Sequence, residues 1–349
     1  MAEDGLAPAA RYRGAALGAF IGDALAMPAH WYYDTEALWR QFGRIDSYRR
    51  PPREHPNSIL WRSVYEPAEP EYDILGDQRR YWGRRRVHYH QFLEAGENTL
   101  NLKLLGLALD LIVRDGGYDR TRYVEAYRRF MLCPGEHRDT YVEECHRGFF
   151  VNLSRAIPPD RAAVQEKHIG GMVAVVPLYT SLRSLGHDHD HAAAGVLEHV
   201  SVTHAGRRVR DAAISLLTVA SELIDGVGLA ESLRGHLRRQ DLPFLLGPIE
   251  SESSEPVPRI LGRRYSTACY LDDAMPATFY LALRYAEDPS EGLVENTMAG
   301  GDNCHRGAVL GALFGTAYGA SAFPEAWREG LCASLPTSGT AGAADLSAE

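Results

Sequence analysis

Apolar positions along this chain recur at helical spacing far more often than they alternate. Residues 13–28 carry Gly14, Gly18 and Gly22 four apart, with Ala15, Ala16 and Ala19 between them. Glycine lowers helix propensity, so its repetition here predicts a helix with a smooth face that another helix approaches closely. Gly307, Gly311, Gly315 and Gly319 repeat the device within the apolar, small-residue run 308–322. The two stretches are expected to pack on each other in the centre of the fold. Further helices are predicted from 100 to about 113, within 119–156 and 167–185, over 201–224 and over 270–285. Residues 43–86, rich in Pro, Arg, Tyr and Trp, read as a long irregular excursion. Loops of that length are usually functional or mobile. Residues 237–264 read as a loop, and few runs look like strands. The predicted fold is all-α, with one domain over 11–333. The first ten residues are expected to fray, and the Ala/Gly/Ser-rich tail 334–349 to be disordered.

Two polar stretches interrupt this pattern where helices begin. One is Gly300-Gly301-Asp302-Asn303-Cys304-His305, a glycine turn that leads into the second glycine-striped helix. Asp302 is placed to cap that helix, and Asp302 and His305, three apart, share a face. The cluster reads as the floor of an active site, or equally as a cap beside a hydrogen-bonded histidine. The other is Gly96-Glu97-Asn98-Thr99-Leu100-Asn101. Asn98 and Asn101 face one side, and within a leucine-rich run at least one is buried and needs partners. The segment His30-Trp31-Tyr32-Tyr33 is either an aromatic connection or a pocket wall that stacks a ring. Packing of the glycine faces would bring Asp23, His30 and Asp302 into one neighbourhood. The alternation His187-Asp188-His189-Asp190-His191 reads as a polar linker and helix start rather than a metal site.

Composition narrows the function. At 349 residues, 45% apolar and 24% charged, the chain has the make-up of a soluble globular protein. A formal charge of -9 argues against general nucleic-acid binding. Five scattered cysteines without a C-x-x-C pair fit a reducing compartment. With no signal peptide and no confident membrane span, the expectation is a cytoplasmic protein with no membrane and no nucleic-acid partner. Its oligomeric state is not indicated.

The segment Gly14-Ala-Ala-Leu-Gly-Ala-Phe-Ile-Gly-Asp-Ala-Leu25 resembles the opening signature of the ADP-ribosylglycohydrolases, and Gly300-Gly301-Asp302 with its glycine-striped helix resembles their closing one. Glu97-Asn98-Thr99 stands where that family carries Asp-Asp-Thr, and Thr203-His204 at its mid-chain Thr-His. The resemblance covers roughly residues 11–323, and its combination of motifs looks like the crystallin-related branch. It implies an all-α hydrolase that cleaves an N- or O-glycosidic bond of ADP-ribose or a related ribosyl conjugate. The implied partner is a small-molecule or ADP-ribosylated substrate, and the implied cofactor is a pair of Mg²⁺ ions. Gly96, Glu97 and Asn98 replace the family's first ligand motif. Asp302 keeps the first Asp of the second motif, while Cys304 and His305 replace its later members. His30 stands where many members have Glu, and 169–174 lacks the family's polar contacts. Mg²⁺ wants hard oxygen ligands, and only Glu97 and Asp302 remain as candidate metal carboxylates. Thiol and imidazole favour a softer ion such as Zn²⁺. No Mg²⁺ pair is therefore expected; the competing outcome is one Zn²⁺ on Asp302, Cys304 and His305.

The candidate catalytic residues are Glu97, Asp302, Cys304, His305 and His30. The candidate substrate-binding residues are Asn98, Thr99, Asn101, Asn303, Tyr33, His204, Gly300 and Gly301. Three functions stay open. In a glycoside hydrolase, Glu97 or Asp302 activates water or stabilises an oxocarbenium-like centre while His30, His305 or His204 moves protons. In a different enzyme, Cys304 at a helix N-terminus is the nucleophile. In a crystallin-like binding or structural protein, catalysis has lapsed.

Overall fold

The computed structural model describes residues 6–239 and 249–335. Its helices in chain order are α1 (Pro8–Ala26), α2 (Thr35–Phe42), α3 (Leu100–Asp115), α4 (Arg120–Leu132), α5 (Glu144–Ser154), α6 (Val175–Ser184), α7 (His189–Val200), α8 (Arg207–Ile224), α9 (Leu229–Arg238), α10 (Ile249–Glu252), α11 (Val257–Ile260), α12 (Leu271–Arg284), α13 (Pro289–Met298), α14 (Asn303–Tyr318) and α15 (Glu325–Glu329). Two short strands, β1 (Val164–Gln165) and β2 (His204–Ala205), pair in parallel. The fold is all-α, as the periodicity predicts. No helix among the described residues is long and apolar enough to cross a membrane.

The fold is organised on α14. All 16 of its residues are buried, which fits a helix apolar on every side. It lies antiparallel to α1, and the two glycine stripes meet residue for residue. A Cβ added at Gly14 would lie 2.0 Å from Gly315 O, at Gly18 1.9 Å from Gly311 O, and at Gly22 2.0 Å from Gly307 O. The backbones touch directly, so any side chain at these positions would force them apart. This pairing sets the C-terminal end of α1 beside the first turn of α14.

Several elements differ from the sequence reading. Helix α1 starts at Pro8, where a proline lacking N–H is harmless, so residues 8–10 are helical rather than frayed. The Asp34 carboxylate accepts from Ala37 N at 3.0 Å and starts the unforeseen α2. Only Leu38 of α2 is fully buried, too little to print a period. The stretch 119–156 is two helices, and Cys133, Pro134 and Gly135 begin the connection that carries Asp139, Tyr141 and Glu143. Asp188 caps α7 at His191 N, which makes 187–191 a linker and helix start. Within 237–264 stand α10 and α11, while 240–248 lie outside the described residues. Of the tail expected to be disordered, 336–349 also lie outside them.

Candidate functional site

Beyond α1 the chain makes one turn of 3₁₀ helix over Met27–Ala29 and then runs extended at His30. Trp31 takes a left-handed backbone at φ 62°, a strained state for an indole-bearing residue. Its N–H donates to Gly301 O at 2.8 Å, and Gly301 N–H donates back to Tyr32 O at 2.7 Å. This pair of bonds ties the segment to the Gly300-Gly301 turn. Both glycines have positive φ, and a Cβ on either would lie 2.1 Å from a backbone oxygen, that of Tyr32 or Thr267. Buried Arg306 holds the turn: Nη2 donates to Gly300 O at 2.9 Å and Nε to Asn296 Oδ1 at 2.7 Å.

Asp302 sits at the N-cap position of α14, but its carboxylate makes no capping bond. It turns into the protein instead. Oδ1 lies 3.0 Å from His30 Nε2 and 2.8 Å from His305 Nδ1. Oδ2 is buried with no partner, and His305 Nδ1 makes no aligned hydrogen bond. Burial opposes ionisation of Asp302, but His305 and His30 outweigh it and hold the carboxyl well below its usual range. Burial also opposes a charged His305, yet Asp302 and then Glu143 lift its pKa to about 10. At His30 burial wins over Asp302 and pulls the pKa down to about 3.

Two side-chain chains run outward from Asp302. On one, His30 Nδ1 meets His90 Nε2 at 2.8 Å, and His90 Nδ1 meets the buried Asp139 carboxylate. On the other, His305 Nε2 meets Asn101 Nδ2 at 3.0 Å. Asn101 Nδ2 also donates to Glu143 Oε2 at 2.7 Å, and Asn101 Oδ1 accepts from His146 Nε2 at 3.0 Å. His146 Nδ1 accepts from the Tyr127 hydroxyl at 2.8 Å. Burial, then His204, lowers the His146 pKa to about 3, so its ring is neutral. His30, Trp31, His90, Thr99, Leu100, Asn101, Tyr141, Glu143 and His305 line a narrow crevice of about 10 Å³ beside this cluster. Trp31 stacks on His30 at 3.7 Å between ring centres and meets Tyr141 edge-on at 4.8 Å.

The sequence candidates separate accordingly. His30, Asp302, His305, Asn101 and Thr99 come together here. Asn98 and Thr99 hold buried Asp23: Asn98 Nδ2 at 2.9 Å, Thr99 N at 2.9 Å and Thr99 Oγ1 at 2.7 Å donate to its carboxylate. Burial still raises the Asp23 pKa against these bonds. Asn303 Nδ2 donates to Ala29 O and Thr297 O, positioning backbone. Tyr33 is half exposed, and burial of its hydroxyl, then the Asp302 charge, raises its pKa. His204 lines a neighbouring cavity with Asn101, His146, Gly170 and Gly171.

Two of the catalytic candidates do not join the cluster. Glu97 accepts from Lys103 Nζ at 2.7 Å, Arg138 Nη2 at 2.5 Å and Glu94 N at 3.0 Å. It is drawn outward by cations that the motif did not reveal. Cys304 is fully buried against Ala26, Met27 and Leu93, its Sγ 3.7 Å from Asp23 O. Burial, then Asp23 and Asp302, pushes its thiol well above the usual range, the reverse of nucleophile activation. A second thiol near Asp302, half-buried Cys269, is hydrogen-bonded to His168, whose Nδ1 lies 2.6 Å from Glu166 Oε2. The residues the sequence did not single out are His90, Asp139, Tyr141, Glu143 and His146.

The sequence model of the ADP-ribosylglycohydrolase family matches residues 4–347, nearly the whole chain. The chain belongs to the ADP-ribosylglycohydrolase family. Its fold is also similar to that of a solved "ADP-ribosylglycohydrolase-related protein complex", at 19% identity and a TM-score of 0.54 over 93% of both chains. No curated protein matches the chain significantly.

Members of this family are typically metal-dependent, and a Mg²⁺ pair makes definite demands on its donors. Each Mg²⁺ takes near-octahedral oxygen ligation at about 2.0–2.1 Å. Around Asp302 stand the imidazoles of His30 and His305, and Glu143 is the nearest further carboxylate, its Oε1 3.7 Å from His305 Nδ1. Both oxygens of Asp23 are already occupied by donors. These residues do not fit a Mg²⁺ pair.

Proposed function

We propose that this protein hydrolyses an N- or O-glycosidic bond of ADP-ribose or a related ribosyl conjugate. The observation that carries the reading is the pair of carboxylates at the crevice. Asp302 lies fully buried behind the crevice-lining His30 and His305, with one oxygen unpartnered. Glu143 stands on its wall, its side chain 14% exposed. Glycosidic hydrolysis needs one group to activate water and negative charge near the ribosyl centre as it becomes oxocarbenium-like. Glu143 is the accessible group: it takes the proton of the attacking water and passes it to the departing group, and Asn101 orients it through the 2.7 Å bond to Oε2. Asp302 supplies the negative charge from behind and holds His30 and His305, which face the ribose, and Trp31 and Tyr141 exclude water from the walls. Cys304 has no place in this scheme, because its thiol faces the other way.

The test is turnover of a panel of conjugates with different leaving groups, followed by release of ADP-ribose or ribose. Glu143→Gln is expected to cut kcat on the order of 10²-fold or more with little change in KM. Failure of the wild-type protein on every conjugate, or wild-type turnover by Glu143→Gln, overturns the reading.

A further inference from the structure

We propose that His30, Asp302 and His305 bind one divalent first-row transition ion of the Zn²⁺ or Co²⁺ kind, in place of a Mg²⁺ pair. One ligand atom from each residue lies within 4.8 Å of the other two, and all three residues are buried. Donors bound to one ion at about 2.0–2.2 Å lie roughly 3 Å apart at a right angle and roughly 3.4 Å apart at the tetrahedral angle. The contacts of 3.0 and 2.8 Å to Asp302 Oδ1 lie near the first spacing, so an ion here would spread the donors by a few tenths of an ångström. Two imidazole nitrogens and one carboxylate select a borderline ion over a hard one.

Two further observations point to a cation. Asp302 Oδ2 is a buried polar atom without a hydrogen-bond partner, and His305 Nδ1 has only its ion-pair contact with Asp302 Oδ1 and no aligned hydrogen bond, an arrangement that is costly when nothing else satisfies them. The second is a count of protons. Three contacts in series, Asp139 to His90, His90 to His30 and His30 to Asp302, each need a positive centre between two lone pairs. Two neutral imidazoles supply only two protons. If Asp139 takes His90 Nδ1–H and His90 Nε2 takes His30 Nδ1–H, His30 Nε2 is left bare and aimed at Asp302. A metal ion fills that gap. The His90–Asp139 pair then does what outer-shell partners do for a ligating histidine, fixing its tautomer and raising its basicity.

His305 and Glu143 complete the picture. Ligation through His305 Nδ1 puts its proton on Nε2, which faces the Asn101 amide at 3.0 Å. Asn101, whose oxygen serves His146 Nε2, keeps Glu143 in place through Nδ2. Glu143 Oε1, 3.7 Å from His305 Nδ1, stands beside the ion as the base. A role for the ion in gripping ribose hydroxyls rests on the hydrolase reading; the binding itself does not.

The test uses chelator-stripped full-length protein carrying His187→Ala and His191→Ala. Those two surface rings stack at 4.6 Å, and removing them excludes weak capture of the added ion by surface imidazoles. Co²⁺ is followed by its visible absorption and Zn²⁺ by calorimetry, both without substrate. One equivalent is expected, with no sulfur-to-cobalt charge-transfer band. His30→Ala and His305→Ala should each abolish binding, and His90→Ala should weaken it roughly 10–100-fold. Cys304→Ala and Glu97→Gln should leave it unchanged. Circular dichroism checks the fold of each variant, and cobalt X-ray absorption on the unsubstituted site must show imidazole scattering. Absence of stoichiometric binding, binding indifferent to His30→Ala and His305→Ala, absent imidazole scattering, or two equivalents of Mg²⁺ bound in preference each overturns the proposal. The same samples are assayed for turnover. Binding without turnover removes only the hydrolase reading, and turnover without binding removes only the metal.

Discussion

Replacing Gly311 with alanine tests the central packing with the smallest possible perturbation. In an ordinary helix this exchange stabilises by up to about 1 kcal/mol, because alanine has the better propensity. Here the new Cβ would lie 2.0 Å from Gly18 O and 2.6 Å from Gly18 C. Cβ atoms essentially never come within 3.0 Å of such atoms, so α1 and α14 must separate by about 1 Å. The obstacle is backbone, so no side chain can swing aside. A radial gap of about 0.5–1 Å forfeits a quarter to a half of each dispersion contact it opens, and α14 is buried along its whole length. With overpacking alone costing about 1–3 kcal/mol and sometimes more, we expect a net loss of about 3 kcal/mol. Unfolding entropy of about 2.1 cal/mol/K per residue turns that into a drop in Tm of about 4 °C. Gly235→Ala on α9 is the matched control: its Cβ would meet nothing within 4 Å, so the propensity gain should appear unopposed. Thermal and urea melts of the two variants should therefore shift in opposite directions. A Gly311→Ala protein as stable as wild type, or moving the same way as Gly235→Ala, would refute the backbone contact.

Other outcomes follow from the site. Native alkylation read by mass spectrometry should label exposed Cys133 and Cys332 first and half-buried Cys269 next, while Cys145 and Cys304 react only on unfolding; early labelling of Cys304 with loss of activity would restore the thiol reading. Glu97→Gln should leave turnover intact and cost no more than about 1 kcal/mol for each pair it weakens, since Arg138 is half exposed and such pairs contribute little; a large loss of kcat with an unchanged melting curve would return Glu97 to the catalytic set.

What the sequence disclosed and what it hid divide along physical lines. Glycine at four-residue spacing has few explanations, so the α1–α14 contact was legible from Gly14, Gly18, Gly22 and their counterparts. His30 and Asp302 were legible because each lies within a few residues of that contact. Glu97 misled for a definite reason. A local motif fixes backbone, not the direction of a long side chain, and Lys103 and Arg138 lie 6 and 41 residues further on. Glu143, Asp139 and Tyr141 were invisible because they sit in an irregular connection with no period, brought in by tertiary packing alone. Asp302 had the right position for a cap, but two imidazoles compete for its carboxylate more strongly than backbone N–H groups do.

The antiparallel order of the glycine pairs links stability to function in a way that can be separated by experiment. Gly14 and Gly22 are matched in strain: each would bring a Cβ 2.0 Å from a glycine carbonyl of α14, Gly315 and Gly307 respectively. They differ in place. Gly14 lies at the end of the pair remote from the crevice. Gly22 precedes Asp23 and faces Gly307, two residues beyond His305. A shift of about 1 Å at Gly14 costs packing and leaves the His30–Asp302–His305 cluster undisturbed. The same shift at Gly22 moves α1 against the turn that fixes all three, and misplacement by about 1 Å at a reacting centre can cost on the order of 10²-fold in rate. Gly14→Ala and Gly22→Ala should thus lower Tm by similar amounts. At a temperature where both remain folded, Gly22→Ala should lose far more turnover and Co²⁺ affinity. Equal functional losses at equal destabilisation would mean that the glycine contact acts on the crevice only through global stability, and that the cluster is held by its own hydrogen bonds alone.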